Sequence, residues 1–574
     1  MPKVTWRFSL TFVLILMTYG SVRPSSNQSF TRLSGEILET IQSFYPVRST
    51  GMGIHAYDHR FTDYSSKSVN QMVKKLNEFE KQLYKYKSAN LTEHDRINYQ
   101  LLKSNVDGVL LDLKRIQWYK KSPQLYVDEV VNGVYYLVLS DHAPLAERLV
   151  TIISRMKAVP TFLAAAKKNL KKPPPIYIET AQETMEDGIR FYKDISAELS
   201  NKFPHRADEL ARVSNQAREA MNDFVNFLAT LKPGSQSSFA IGKDNFDYML
   251  SHQYFLDYGS DSLLKIGQAL LRQADAAYHE YIVYVDSNHQ NGSDSVFVPA
   301  NFARQDILDY YNWETDQIRL FLETHNILTV PSQVAEVAVI ETPSFMRSLV
   351  GMYAYQPAGP FDSAQTAYFY VRPVPDDLDR QQLEARYRYV HRRGFKGAVV
   401  HEAFPGHHLQ MQLAGLNGDP VRKWQTNLMM IEGWALYAEQ MMYEQGLYGV
   451  EDPGSWLQIL EGIRFRAARI IADVKLHTGQ FTSDECVEWM ADVLDFSSAF
   501  SQDYLRDEVR RYTLTPTHQM SYLIGKLEIE KLLRAARDKD GESFSIRRFH
   551  DALLAEGSIP PTLMWTIMGL ERSK

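Results

Sequence analysis

Apolar residues recur every three or four positions along most of this chain. Ser68–Tyr86, Leu145–Leu170, Arg206–Leu231, Ser262–Tyr284 and Gly462–His477 all carry that period. A repeat near 3.6 gathers apolar side chains on one face, so each segment predicts an amphipathic helix. Breakers separate them: Lys172-Pro-Pro-Pro175, Lys232-Pro-Gly234 and the polar stretch Asn288–Ser295. No internal repeat and no long low-complexity linker interrupts the pattern. The expectation is a mainly α protein, a single helical domain over 28–574 with room for two lobes.

One segment departs from the period. Thr366-Ala-Tyr-Phe-Tyr-Val-Arg372 is aromatic and β-branched, and Pro373 and Pro375 follow it. It predicts a short strand, and proline so close favours the edge of a sheet. About 30 residues later comes Lys396–Gly415, which reads as a buried helix with an unusual load of polar groups.

The N-terminus is different again. Lys3 and Arg7 precede an apolar run, Phe8–Tyr19, and then the small residues Gly20 and Ser21. This predicts a secretory signal peptide over 1–20 with cleavage near Gly20; an uncleaved signal anchor is the alternative. No later window approaches the ~20 apolar residues of a membrane span. A secreted or lumenal protein is expected. Sequons at Asn27, Asn90 and Asn291 fit that compartment as glycosylation candidates. The single cysteine, Cys486, excludes an internal disulfide. A net charge of −6 supplies no basic face for nucleic acid.

The chemistry concentrates in His401-Glu-Ala-Phe-Pro-Gly-His-His408. Three imidazoles and a carboxylate in a buried segment are costly unless something binds them. Imidazole nitrogen and carboxylate oxygen are the ligands of a catalytic zinc. Two histidines four apart share one face of a helix in the common zinc-peptidase motif. Here His401 and His407 are six apart, about 120° off a common face on an ideal helix. His408 returns to the face but lies about 10.5 Å along the axis. Pro405 changes this, because its missing N–H and its ring disrupt the bond to the His401 carbonyl. The helix is expected to widen between Ala403 and Gly406, with His407 as second ligand and His408 as the alternative. Glu402 is the expected general base.

A third ligand is expected from a second helix, Ile431-Glu-Gly-Trp-Ala-Leu-Tyr-Ala-Glu439. Glu432 lies 25 residues after His407, room for a turn and a returning helix. Glu439 shares its face and suits a carboxylate that orients a ligating histidine. One Zn2+ per chain follows.

These two motifs together resemble the family catalogued as domain of unknown function 885. The resemblance extends to Thr342-Pro343 and Arg347, to Arg466–His477, to Glu508–Tyr512 and to Pro516–Lys526. Two stretches depart from the family pattern. Val474-Lys475 stands where glycine is usual, and Pro516-Thr-His-Gln519 replaces Pro-Gly-Gln. The family looks like a distant relative of the helical zinc peptidases, which include angiotensin-converting enzyme, oligopeptidases and thermostable carboxypeptidases. That implies a helical fold with a deep cleft, a small β element beside the active-site helix and a zinc hydrolase site.

In such peptidases a late tyrosine or histidine stabilises the oxyanion, a contribution of roughly 3 kcal/mol. Tyr522 is the first candidate here, with Tyr512 and His518 behind it. Arg469, Asp473 and His477 step by four along one helix face. They read either as an ion-pair ladder or as a catalytic His477 facing the cleft and oriented by Asp473. The strand Ala367–Val371 is expected to pair with an extended peptide, and Arg347 or Lys526 to hold a substrate terminus by charge. The expected function is a secreted zinc metallopeptidase acting on small peptides. Rival readings are a zinc amidase on a non-peptide conjugate and a non-catalytic binding protein of the same fold.

Overall fold

Each of the five amphipathic segments forms a helix, while Lys396–Gly415 splits into two, Lys396–Glu402 and His407–Leu416. The computed structural model describes residues 27–572 apart from 88–90, 289–297, 344–345, 348–351, 364, 376–377, 392–395 and 450–452. The helices run Ser66–Tyr84, Leu145–Asn169, Ala207–Thr230, Ser260–Asn288 and Pro453–His477. Ser65 opens the first by accepting the Ser68 N–H. Pro175 opens the Pro175–Lys202 helix at a position where its missing N–H has no partner to lose. The signal segment and the sequons at Asn90 and Asn291 lie outside the described residues. Asn27 is exposed, and its side chain caps the Gln28–Phe44 helix.

The protein is mainly helical, with one small three-stranded sheet in the order β1–β3–β2. β1 is Val337–Glu341, β2 is Tyr353–Gln356 and β3 is Ala367–Val371. The predicted strand exists but is not an edge. β3 pairs parallel with β1, Val337 opposite Ala367, and antiparallel with β2, Tyr353 opposite Val371. Pro373 falls two residues beyond the ladder, so its missing N–H removes no bond. The outer strand beside the Lys396–Glu402 helix is β2. The reading of Ala367–Val371 as a peptide-pairing edge is therefore corrected.

Leu145–Asn169 is also a correction. It is long and apolar enough to cross a membrane, with mean hydropathy 1.4 over its best 18 residues. Half of that window is buried in the fold, packed on Gln124–Leu139 and Ala207–Thr230. Its fully buried Arg155 donates to the Gly133 carbonyl and the Thr50 hydroxyl. A core helix meets the same criterion of length and composition.

Three helices bring the chemistry together. Leu428–Glu444 is buried on every side from Met429 to Ala438, and it packs extensively on His518–Asp540. The crossing runs through Gly433 and Gly525. A Cβ on Gly525 would sit 2.1 Å from the Met429 carbonyl oxygen, and one on Gly433 would sit 2.5 Å from the Gly525 carbonyl carbon. Only hydrogen fits there, and that closeness brings Glu432 and His518 into contact. The third helix, Pro453–His477, supplies Asp473. Its buried carboxylate accepts the backbone N–H groups of Thr517 and Met520, each at 3.0 Å. It thus fixes the start of the helix that carries His518 and Tyr522.

Candidate metal centre

The histidine motif is two helices with a break between them. Lys396–Glu402 ends, residues 403–406 form a loop with a cis Phe404–Pro405 bond, and His407–Leu416 begins. The Gly406 N–H reaches back to the Val400 carbonyl at 2.9 Å. A Cβ on Gly406 would lie 1.9 Å from the His401 carbonyl oxygen, so the turn demands glycine. The Trp434 indole donates to the Pro405 carbonyl at 2.8 Å and pins the loop to the Leu428–Glu444 helix.

This break brings His401 and His407 together. Their ring centroids are 4.7 Å apart and nearly perpendicular. Nε2 of His401 lies 3.7 Å from Glu432 Oε2, and Nε2 of His407 lies 3.5 Å from the same oxygen. Four ligands at 2.0–2.1 Å around a tetrahedral zinc are separated by about 3.3–3.4 Å. The observed spacings need only a few tenths of an ångström of adjustment. Glu432 Oε2 is buried and has no hydrogen-bond donor, although two imidazole nitrogens face it. An orphaned carboxylate oxygen between two histidines fits a cation, and the donor set fits zinc.

The surroundings orient these groups. Glu439 Oε1 is 2.8 Å from His401 Nδ1, which leaves Nε2 aimed at Glu432. Arg466 holds the same Glu439 oxygen at 3.3 Å. His518 Nε2 approaches Glu432 Oε1 at 3.3 Å. Burial alone would raise the Glu432 carboxyl. His407, His401 and His518 outweigh it and hold the group well below the usual carboxylate range. Burial pulls His401 down, but Glu432 and Glu439 overcome it and lift the imidazole to about 10. Glu402 joins the histidines, with ligand atoms of His401, Glu402 and His407 all within 4.8 Å of one another. Burial raises its carboxyl above the usual value, against the pull of both imidazoles.

Tyr522 completes the group. Its ring stacks parallel to His401 at 6.4 Å and to His518 at 5.7 Å. A pocket of about 380 Å³ is lined by His401, Glu402, Glu439, Arg466 and Tyr522. A larger cavity of about 1010 Å³, between Phe255–Tyr258 and the far end of the His518–Asp540 helix, has no histidine in its wall.

Other predicted site residues lie elsewhere. His408 turns away from Glu432: Nδ1 is 3.1 Å from the Tyr355 hydroxyl, and Nε2 is 2.8 Å from the Ala335 carbonyl. It ties the motif helix to the sheet region, and burial lowers its pKa to about 4. His477 does not face the pocket. It is fully buried, bonds the Tyr512 carbonyl at 2.9 Å and packs against Phe239 and Phe246. Asp473 stays 4.0 Å from it because its oxygens serve the helix start. No Arg469–Asp473–His477 ladder forms, since Arg469 donates to Gln519 instead. The Tyr512 hydroxyl donates to Glu508 at 2.8 Å. Lys526 is buried and paired with Glu530. Arg347 is exposed and donates to the Thr342 carbonyl. Neither basic residue lines the pocket. Arg466, Arg469 and Arg511 line it instead. The signal for two of them was a pair of arginines three apart on a helix that also carries Asp473.

Solved structures share this fold. One is a candidate lipoprotein of unknown function from Shewanella oneidensis, with TM-score 0.74 and 20% identity, covering 94% of this chain and 99% of that one. A candidate lipoprotein from Colwellia psychrerythraea matches with TM-score 0.75 and 17% identity over the same shares. No curated protein matches the chain. The family model described as "Bacterial protein of unknown function (DUF885)" matches residues 46–568, and the chain belongs to that family.

Proposed function

We propose that this protein is a zinc-dependent metallohydrolase that cleaves amide bonds in small peptides. The proposal extends to the fold, read as a distant variant of the helical zinc peptidases with the pocket as the mouth of a deep substrate cleft. The observation that carries it is the buried, unpartnered Oε2 of Glu432 facing Nε2 of His401 and His407. Zinc held by these three groups would act as a Lewis acid toward the scissile carbonyl and the attacking water.

The chain's own residues account for the rest. Glu439 accepts the Nδ1 proton of His401 and fixes the tautomer that presents Nε2. Glu402 takes a proton from the attacking water and passes it to the leaving nitrogen. The Tyr522 hydroxyl donates to the oxygen on which charge develops. The outer strand β2, beside the Lys396–Glu402 helix, takes over the peptide-pairing role expected of Ala367–Val371. An extracytoplasmic location is part of the proposal. The charged and apolar N-terminus supports it, as does the description of the structural neighbours as candidate lipoproteins.

The test is a peptide library incubated with zinc-loaded protein and read by mass spectrometry. Wild type is expected to cleave, and Glu402→Gln to lose at least about 100-fold of the rate. Equal cleavage by the variant removes Glu402 from the mechanism. No cleavage of any peptide by wild type removes the peptidase reading.

A further inference from the structure

Three arginines stand in the wall of the pocket that holds His401, Glu402 and Tyr522. Two have carboxylate partners. Arg511 donates to both oxygens of Glu508, at 2.9 and 2.7 Å, and Glu508 also accepts from the Tyr512 hydroxyl. Arg466 shares Glu439 with His401. Arg469 differs. It is 4% exposed, and among the described residues no carboxylate lies within 4.0 Å of its guanidinium. One Nη2 donates to the Gln519 amide oxygen at 2.5 Å, while Nε is buried with no partner. Its Cζ sits 4.3 Å over the Tyr522 ring. Nε of Arg466 is likewise buried and unpartnered.

A buried guanidinium with no carboxylate in contact is expensive, and Glu508 acts on Arg469 only from longer range. Stacking on aromatic rings recovers only part of that cost. A planar fork of donors matches the two oxygens of a carboxylate. We infer that Arg469, with Arg466 beside it, receives a carboxylate of the substrate, so that the preferred substrates are anionic at that end. The inference rests on the hydrolase reading above and deepens it to a substrate class. The carboxylate has two sources in a peptide: the free C-terminus or an acidic side chain. The Tyr522 ring touches both parts of this site, 6.4 Å from the His401 ring and 4.3 Å from the Arg469 Cζ. The two are thus within about 11 Å, the span of roughly three extended residues. Cleavage is expected one to three residues from the carboxylate.

The experiment uses zinc-loaded full-length Glu402→Gln, which binds without turnover, and tripeptide pools synthesised as free acids and as C-terminal amides. Retained peptides are read by mass spectrometry. The free acids are expected to be retained at least tenfold over the amides, and Arg469→Gln to erase that difference. Arg466→Gln, at a less buried position, is expected to weaken it. If only amides carrying Asp or Glu are retained, the side chain is the source and the carboxylate site stands. Equal retention of peptides with and without a carboxylate, at the terminus or in a side chain, overturns it.

A second arm separates this claim from the peptide reading. Thermal shift with succinate and with succinamide is measured on the same protein. Stabilisation by the acid alone, lost in Arg469→Gln, supports the anion site even when no peptide is retained. No difference between the two compounds, together with no peptide preference, contradicts it.

Discussion

Two clusters of histidine and carboxylate stand among the described residues, and they are built on opposite principles. In the first, Nε2 of His401 and His407 face Glu432 Oε2 at 3.7 and 3.5 Å, and that oxygen has no hydrogen bond. In the second, His55 lies between two carboxylates. Its Nδ1 is 2.7 Å from Asp58 Oδ2, and its Nε2 is 2.7 Å from Asp362 Oδ1. His142 stacks on it with ring centroids 3.4 Å apart. The Asp58 carboxylate also accepts from Thr50. Donor atoms in the second cluster satisfy one another; in the first they converge and stay unsatisfied. Proximity alone therefore does not mark a metal site. The second cluster is a clasp that fastens the Asp362 loop, ahead of β3, to the N-terminal helices, where Gly53 packs against the Asp362 backbone.

The largest effect expected from breaking the first cluster is on turnover. Tyr522→Phe removes the proposed oxyanion donor and should lower kcat by roughly 10²-fold, measured by steady-state kinetics on a cleaved library peptide. Glu439→Gln should weaken zinc about 10- to 100-fold in a chelator competition, because His401 loses its orienting carboxylate. Asp362→Asn, the matching change in the clasp, should leave zinc affinity unchanged.

Effects on stability are smaller. Gly525→Ala puts a methyl 2.1 Å from the Met429 carbonyl oxygen. It should cost about 1–3 kcal/mol in denaturant unfolding and weaken zinc as well. Asp362→Asn should cost about 1–3 kcal/mol without touching zinc.

The smallest effect is the clasp's pH dependence. Burial alone would lower His55, but Asp362 and Asp58 outweigh it and raise the imidazole to about 9. A folded value above the unfolded one, about 6.5, gives stability that is full below pH ~6.5 and lost as pH rises through about 9. Discounted for partial exposure, the amount is about 1 kcal/mol. The difference between wild type and Asp362→Asn should shrink over that window.

The helices were legible because their apolar period is local and the breakers are proline and glycine. The break at Pro405 was legible for the same reason, since a missing N–H can be counted from the sequence. The strand order was not. β1 and β2 are five and four residues long, too short to show a period, so β3 read as an edge when it is central. The roles of His408 and His477 were not legible either. Each bonds a backbone carbonyl supplied by distant chain, Ala335 and Tyr512, and no spacing rule reveals that. Arg469 read as a rung of a helical ladder because Asp473 is four residues away. Tertiary packing engages Asp473 at the start of another helix and leaves Arg469 at the pocket.

Metal content decides between the two clusters most directly. Protein purified in the presence of zinc is dialysed, and zinc per chain is measured by elemental mass spectrometry. Wild type and His55→Ala should both hold close to one zinc, whereas His401→Ala and Glu432→Ala should hold close to none. Wild type free of zinc, or zinc retained in Glu432→Ala and lost in His55→Ala, contradicts the account.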